Sequence, residues 1–152
     1  MIKRLCAIGW GMLASAFVAS NSYADNCSGH YTGVVTAYES AEIDKGHTVA
    51  FAANRNSATS ENSPYNGVGV CTSTILTTPD GKFQVKYSCV RKSAAGDSWS
   101  ITGSMDSSSD KGTWVQTAGS GVFAGKNGSS GWFKTVVTDG KMEMGVWGGN
   151  CK

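Results

Sequence analysis

Few side chains in this chain are of types and spacings that do chemistry. His30 and His47 are its only imidazoles. A histidine titrates near neutral pH and can act as a general base. It needs a nucleophile beside it, and no Ser-His-Asp or Cys-His arrangement can be specified here. Glu39, Glu42 and Asp44 form an acidic cluster. Paired carboxylates work as acid and base when their surroundings differ, but a cluster next to Gly46 reads as a solvated turn. It also lacks the glycine spacing of a calcium loop. Gly125-Lys126 suggests a phosphate cradle and fails on spacing: that motif needs glycine at 120 and Ser or Thr at 127, where Ser120 and Asn127 stand. The dinucleotide fingerprint fails too, because Ala124 stands where its third glycine belongs. No catalytic residue and no cofactor is assigned.

The cysteines carry more information. Cys27, Cys71, Cys89 and Cys151 follow residues 1–24, which read as an export signal. Lys3 and Arg4 give the positive start, Leu5 to Ala19 the apolar stretch, and Ser22-Tyr23-Ala24 a small-x-small cleavage site. The apolar stretch is shorter than the roughly 20 residues a spanning helix needs. Removal of this signal leaves a single domain, 25–152, and a periplasmic or secreted protein without a membrane segment. An even number of cysteines in an exported chain implies disulfides. Zinc is the competing use, but there is no Cys-x-x-Cys and neither histidine lies at zinc spacing, so no metal site is expected.

Losing Lys3 and Arg4 also takes the basic count from 13 to 11, equal to the 11 acidic residues. The remaining basic residues form no stripe. A nucleic-acid partner, which requires phosphate neutralisation, is therefore not expected.

The elements that must position these residues are strands. Cys71 and Cys89 flank Pro79-Asp80-Gly81 symmetrically. A loop of those three residues, with Gly81 left-handed, pairs Thr78 with Lys82, Ile75 with Val85, Ser73 with Tyr87, and Cys71 with Cys89. A Cys71–Cys89 bridge follows from that register, and Cys27–Cys151 is what remains. From Lys82 to Val90 the residues alternate, with Phe83, Val85, Tyr87 and Cys89 on the core face. Asp139-Gly140 is a two-residue turn signal. After it, Met142, Met144 and Val146 share a face assigned to the core, opposite Glu143 and Trp147. Further strands are expected over Gly29–Tyr38, Thr48–Ala53, Val68–Thr78, Ser98–Met105 and Gly112–Thr117. Asn54 to Asn66 reads as a long polar loop, which in a compact domain is usually functional or mobile.

The fold class is thus all-β: one antiparallel barrel of about eight strands rather than an open sandwich. Closure removes the exposed edges, and a Cys27–Cys151 bridge would staple the seam. The glycines between Gly112 and Phe133 then mark bends and close backbone approach.

Gly112-Thr113-Trp114, Gly119-Ser120-Gly121-Val122-Phe123-Ala124-Gly125, Gly128 and Trp132-Phe133 together resemble a segment of small exported bacterial proteins. Those proteins are thought to share the calycin-like barrel of allene oxide cyclase and the dirigent proteins. The likeness spans Gly67 to Phe133, with Ala118 and Ser120 in place of a glycine and a threonine and one extra residue at Ser129-Ser130. It implies an eight-stranded barrel and no particular reaction.

In such a barrel some aromatics can line a cavity for an apolar ligand. His47, Tyr65, Trp99 and Trp147 are the candidate ligand contacts, with Trp147 expected to plug one end. The leading function is a binding module for a small apolar molecule or an extracytoplasmic protein. The alternatives are an isomerase or cyclase acting inside the barrel, and a secreted inhibitor that presents the 54–66 loop. An aromatic cavity with one converging carboxylate or histidine would favour the enzyme. An apolar cavity without titratable groups would favour the binder, and a filled barrel with a protruding loop the inhibitor.

Overall fold

The computed structural model describes residues 25–152; the export signal read over residues 1–24 and its cleavage site lie outside the described residues. Eight strands follow one another: β1 (Cys27–Asp44), β2 (His47–Ser60), β3 (Gly67–Thr77), β4 (Phe83–Lys92), β5 (Ser98–Asp106), β6 (Gly112–Gly119), β7 (Ser130–Thr138) and β8 (Met142–Asn150). Each pairs antiparallel with the next. β8 returns to β1, from Cys27 opposite Gly149 to Val34 opposite Met142, and closes the barrel.

The register around Pro79-Asp80-Gly81 is as the sequence dictates. Ile75 faces Val85, Ser73 faces Tyr87, and Cys71 faces and bonds Cys89. The Thr78 amide donates to the Lys82 carbonyl at 2.8 Å, and Gly81 has φ +80°. Cys27 is bonded to Cys151 at the seam. There the Asn26 side chain donates to the Cys151 carbonyl and accepts from the Cys151 amide.

Three expectations are corrected. Residues 54–60 are not loop but the second half of β2, paired with β1 throughout and with β3 as far as Ala58. Apart from Ala58 they are polar on both faces, so no alternation betrays them; their neighbours impose the strand. Only residues 61–66 connect β2 to β3. The β7–β8 turn is one residue longer than Asp139-Gly140, because Asp139 caps it by accepting from the Lys141 and Met142 amides. The faces of β8 are also reversed. Met142 and Met144 lie outside at about 40 % exposure, while Trp147 is 8 % exposed inside. The Trp147 ring packs against Tyr65 and Trp114, and strand alternation turns Glu143 inward with it.

One end of the barrel is sealed. The 61–66 connection turns Tyr65 inward, onto Trp99, Trp114, Phe123 and Trp147, with ring centroids 5.2–6.2 Å apart. A 3₁₀ turn, Gly121–Phe123, brings Phe123 against Trp99 at 4.4 Å. The Tyr65 hydroxyl donates to Gln116 Oε1, and Gln116 Nε2 donates to the Phe123 carbonyl at 3.0 Å. The buried amide is thus satisfied on both sides, as a polar group in a core must be. Trp147 contributes to this floor rather than plugging an end alone. Among the described residues no helix is long and apolar enough to cross a membrane.

Candidate functional site

Above the aromatic floor the barrel is hollow. A cavity of about 270 Å³ is lined by inward residues of every strand. Its walls are mostly rings and aliphatic groups, including Tyr31, Tyr87, Trp114 and Ile101. Away from the floor, Ile75, Val85 and Met105 line it and are partly exposed. The Cys71–Cys89 bridge forms part of the wall.

Two ionisable groups of opposite sign face this space, Arg91 on β4 and Glu143 on β8. They belong to one row of paired residues that runs round the barrel. Arg91 is opposite Gly69, Gly69 opposite Asn56, Asn56 opposite Gly33, and Gly33 opposite Glu143. Both glycines leave room for what lies over them. A Cβ on Gly69 would stand 1.9 Å from the Val90 carbonyl oxygen, and one on Gly33 2.7 Å from Glu143 Oε1. With nothing projecting from Gly69, the guanidinium of Arg91 spans β3. Its Nε and one terminal nitrogen donate to Asn56 Oδ1 at 2.9 and 2.5 Å. Glu143 lies over Gly33 and accepts from Asn54 Nδ2 at 3.1 Å.

Burial sets the electrostatics. Desolvation pulls the Arg91 pKa down to about 10, partly offset by Tyr87, Glu143 and Tyr31. It pushes the Glu143 carboxyl up against the opposing pull of Arg91. The Tyr31 phenol is raised to about 12, by burial first, with its bond to Thr135 acting the other way. Tyr87 is raised by burial as well. Both phenols are neutral at physiological pH and both are engaged: Tyr31 shares a hydrogen bond with Thr135 Oγ1 at 2.7 Å, and Tyr87 donates to the Thr113 carbonyl at 2.8 Å. Asn54 Oδ1 is buried with no hydrogen-bond partner among the described residues. In a native interior such an atom calls for an explanation, and a ligand donor is one.

Of the residues singled out from sequence, Tyr65, Trp99 and Trp147 line the cavity together. His47 does not. It stands at the exposed tip of the β1–β2 hairpin, its Nδ1 3.0 Å from the Asp44 carbonyl. His30 points outward from β1. Glu39, Glu42 and Asp44 run along an exposed extension of β1, where Glu42 accepts from the Gly46 amide. Among the described residues no cluster of three or more His, Cys, Asp or Glu is placed to hold a metal.

Sequence reasoning missed Arg91, Glu143, Asn54 and Asn56. A signal for Arg91 was available: Phe83, Val85, Tyr87 and Cys89 alternate inward, and Arg91 is the next position on that face. No family model matches the chain, and no curated protein or solved structure matches it either.

Proposed function

We propose that this protein is an extracytoplasmic binding barrel that holds a small, mainly apolar molecule in its interior. One observation carries the reading: the eight-stranded barrel is sealed at one end yet hollow above the seal, with aromatic walls and a few fixed polar groups. Ligand pockets have this composition, apolar surface for affinity and a few polar groups for orientation. Two disulfides suit an oxidising compartment, and the export signal read in residues 1–24 points the same way. The inhibitor reading loses its protruding loop, since residues 54–60 are strand and Tyr65 turns inward.

A second reading, an isomerase or cyclase, is favoured by Glu143. A carboxyl raised by burial and facing an aromatic cavity meets the condition set for an enzyme, and Arg91 is placed to stabilise a developing oxyanion. Both polar groups are tied to asparagines, and neither imidazole reaches the cavity; these features favour orientation of a bound molecule over proton transfer.

The test is native mass spectrometry of protein purified from its host under gentle conditions, beside an Ala58→Phe variant that fills the interior. The expected result is a reproducible small-molecule adduct on the wild type that is absent from the variant. A wild type that carries none and also fails to bind added naphthalene derivatives contradicts the proposal. Turnover of the released compound by the protein would favour the isomerase.

A further inference from the structure

We infer that the natural ligand is a small aromatic carboxylic acid, its carboxylate paired with Arg91 and its ring held against the tryptophan and tyrosine walls. This rests on the reading of the interior as a ligand site and specifies the ligand's charge and size.

The charge follows from what Arg91 lacks. A guanidinium has five N–H donors. Two of those on Arg91 are used, both on the uncharged Asn56 oxygen. The remaining three have no protein acceptor among the described residues. The ion pairs there are Lys82–Asp80 and Lys134–Asp110, so no carboxylate lies within pairing distance of Arg91. Arg91 is half-buried, and a partly desolvated charge without a counter-ion is costly. A fixed planar fork facing an apolar cavity fits a carboxylate bidentately. Glu143 does not fill this role, because Asn54 holds it over Gly33. Asn56 in turn holds the guanidinium plane, so its geometry is set before a ligand arrives.

The size follows from the volume. An apolar cavity of about 150 Å³ admits benzene, and this one is about 270 Å³. It therefore suits one or two rings with a short acid arm, rather than a long-chain lipid. A single cation matches a monoanion. A neutral ligand of the same shape would leave Arg91 unpaired.

Titration calorimetry of the intact, oxidised protein with 2-naphthoate and its neutral counterpart 2-naphthamide tests this. A hydrogen bond to a charged group gives a preference of about 10- to 100-fold, and the wild type should favour naphthoate by that factor. Arg91→Met should abolish the preference and retain naphthamide binding. Equal affinity for the two probes in the wild type, or a preference that survives in folded Arg91→Met, overturns the inference while the ligand site stands. No binding of either probe overturns both. If Arg91→Met does not fold, Glu143→Gln decides. It removes the only carboxylate lining the cavity among the described residues, so naphthoate should bind severalfold more tightly and naphthamide unchanged. Naphthoate binding that weakens or stays the same in Glu143→Gln contradicts the inference.

Discussion

Glu143 lies directly over Gly33, so close that the glycine has no room for a side chain: an added Cβ would meet Oε1 at 2.7 Å. At Gly69, two steps further along the same row beyond Asn56, the obstacle is the Val90 carbonyl at 1.9 Å. The two glycines thus face different obstacles, one the tip of a side chain and the other backbone. Gly33→Ala should displace Glu143 at a cost of about 1 kcal/mol or less, the price of an altered rotamer. Gly69→Ala must move β4 and should cost about 2–3 kcal/mol. Urea denaturation of both variants checks the order.

The two disulfides should differ in worth. Cys27–Cys151 closes a separation of 124 residues and Cys71–Cys89 one of 18. Restriction of the unfolded chain grows with the loop closed, so the paired serine replacements should cost about 4–5 and about 3 kcal/mol respectively. The seam is also where β8 meets β1, and without its bridge exchange of the β1 and β8 amides should accelerate first. Hydrogen exchange read by mass spectrometry resolves this.

Tyr65 is the floor. Tyr65→Phe leaves the buried Gln116 Oε1 without its donor and should cost about 1–3 kcal/mol. Tyr65→Ala also removes the ring on which Trp99, Trp114, Phe123 and Trp147 converge, and should cost about 3–5 kcal/mol. Near-ultraviolet circular dichroism should lose its tryptophan signature in the alanine variant and keep it in the phenylalanine variant.

Glu143 gives the protein an acid-side stability term of unusual sign. It is faced by Arg91 from β4, Tyr31 from β1 and Asn54 from β2. Desolvation outweighs the attraction of Arg91, and the folded pKa is raised above the unfolded one. Its contribution is therefore fully present below the unfolded value, about 4.3, and is lost as pH rises through the folded value. Asp80, Asp106, Asp110 and Asp139 are exposed and lowered by hydrogen bonds or ion pairs; their contributions run oppositely, present at neutral pH and lost on acidification. Subtracting the Glu143→Gln pH–stability profile from the wild type cancels the aspartates. The difference should show the wild type gaining relative stability as pH falls through this window. A difference that falls instead would mean Glu143 is stabilised as a carboxylate.

How much of this was legible depended on how local the information was. The Cys71–Cys89 hairpin was legible in full, because a three-residue turn fixes a register and the cysteines lie on its ladder. The seam followed by elimination once that pair was known. The interior was not legible. Asn54 and Asn56 alternate with Arg55 and Ser57, so β2 shows no hydrophobic period there, and only its pairing with β1 and β3 defines the strand. On β8 the residues sharing each face were evident, but hydropathy favoured Met142 and Met144 over a face carrying Glu143. That weighting holds for a filled core and fails for a hollow one, whose inner face includes the polar groups that meet a ligand.

The most direct measurement is anomalous diffraction at the bromine edge from crystals soaked in 4-bromobenzoate. A bromine peak is expected inside the barrel, above the floor formed by Tyr65, with the carboxylate density on Arg91. A peak confined to the outer surface, with the interior closed by its own side chains, would contradict it.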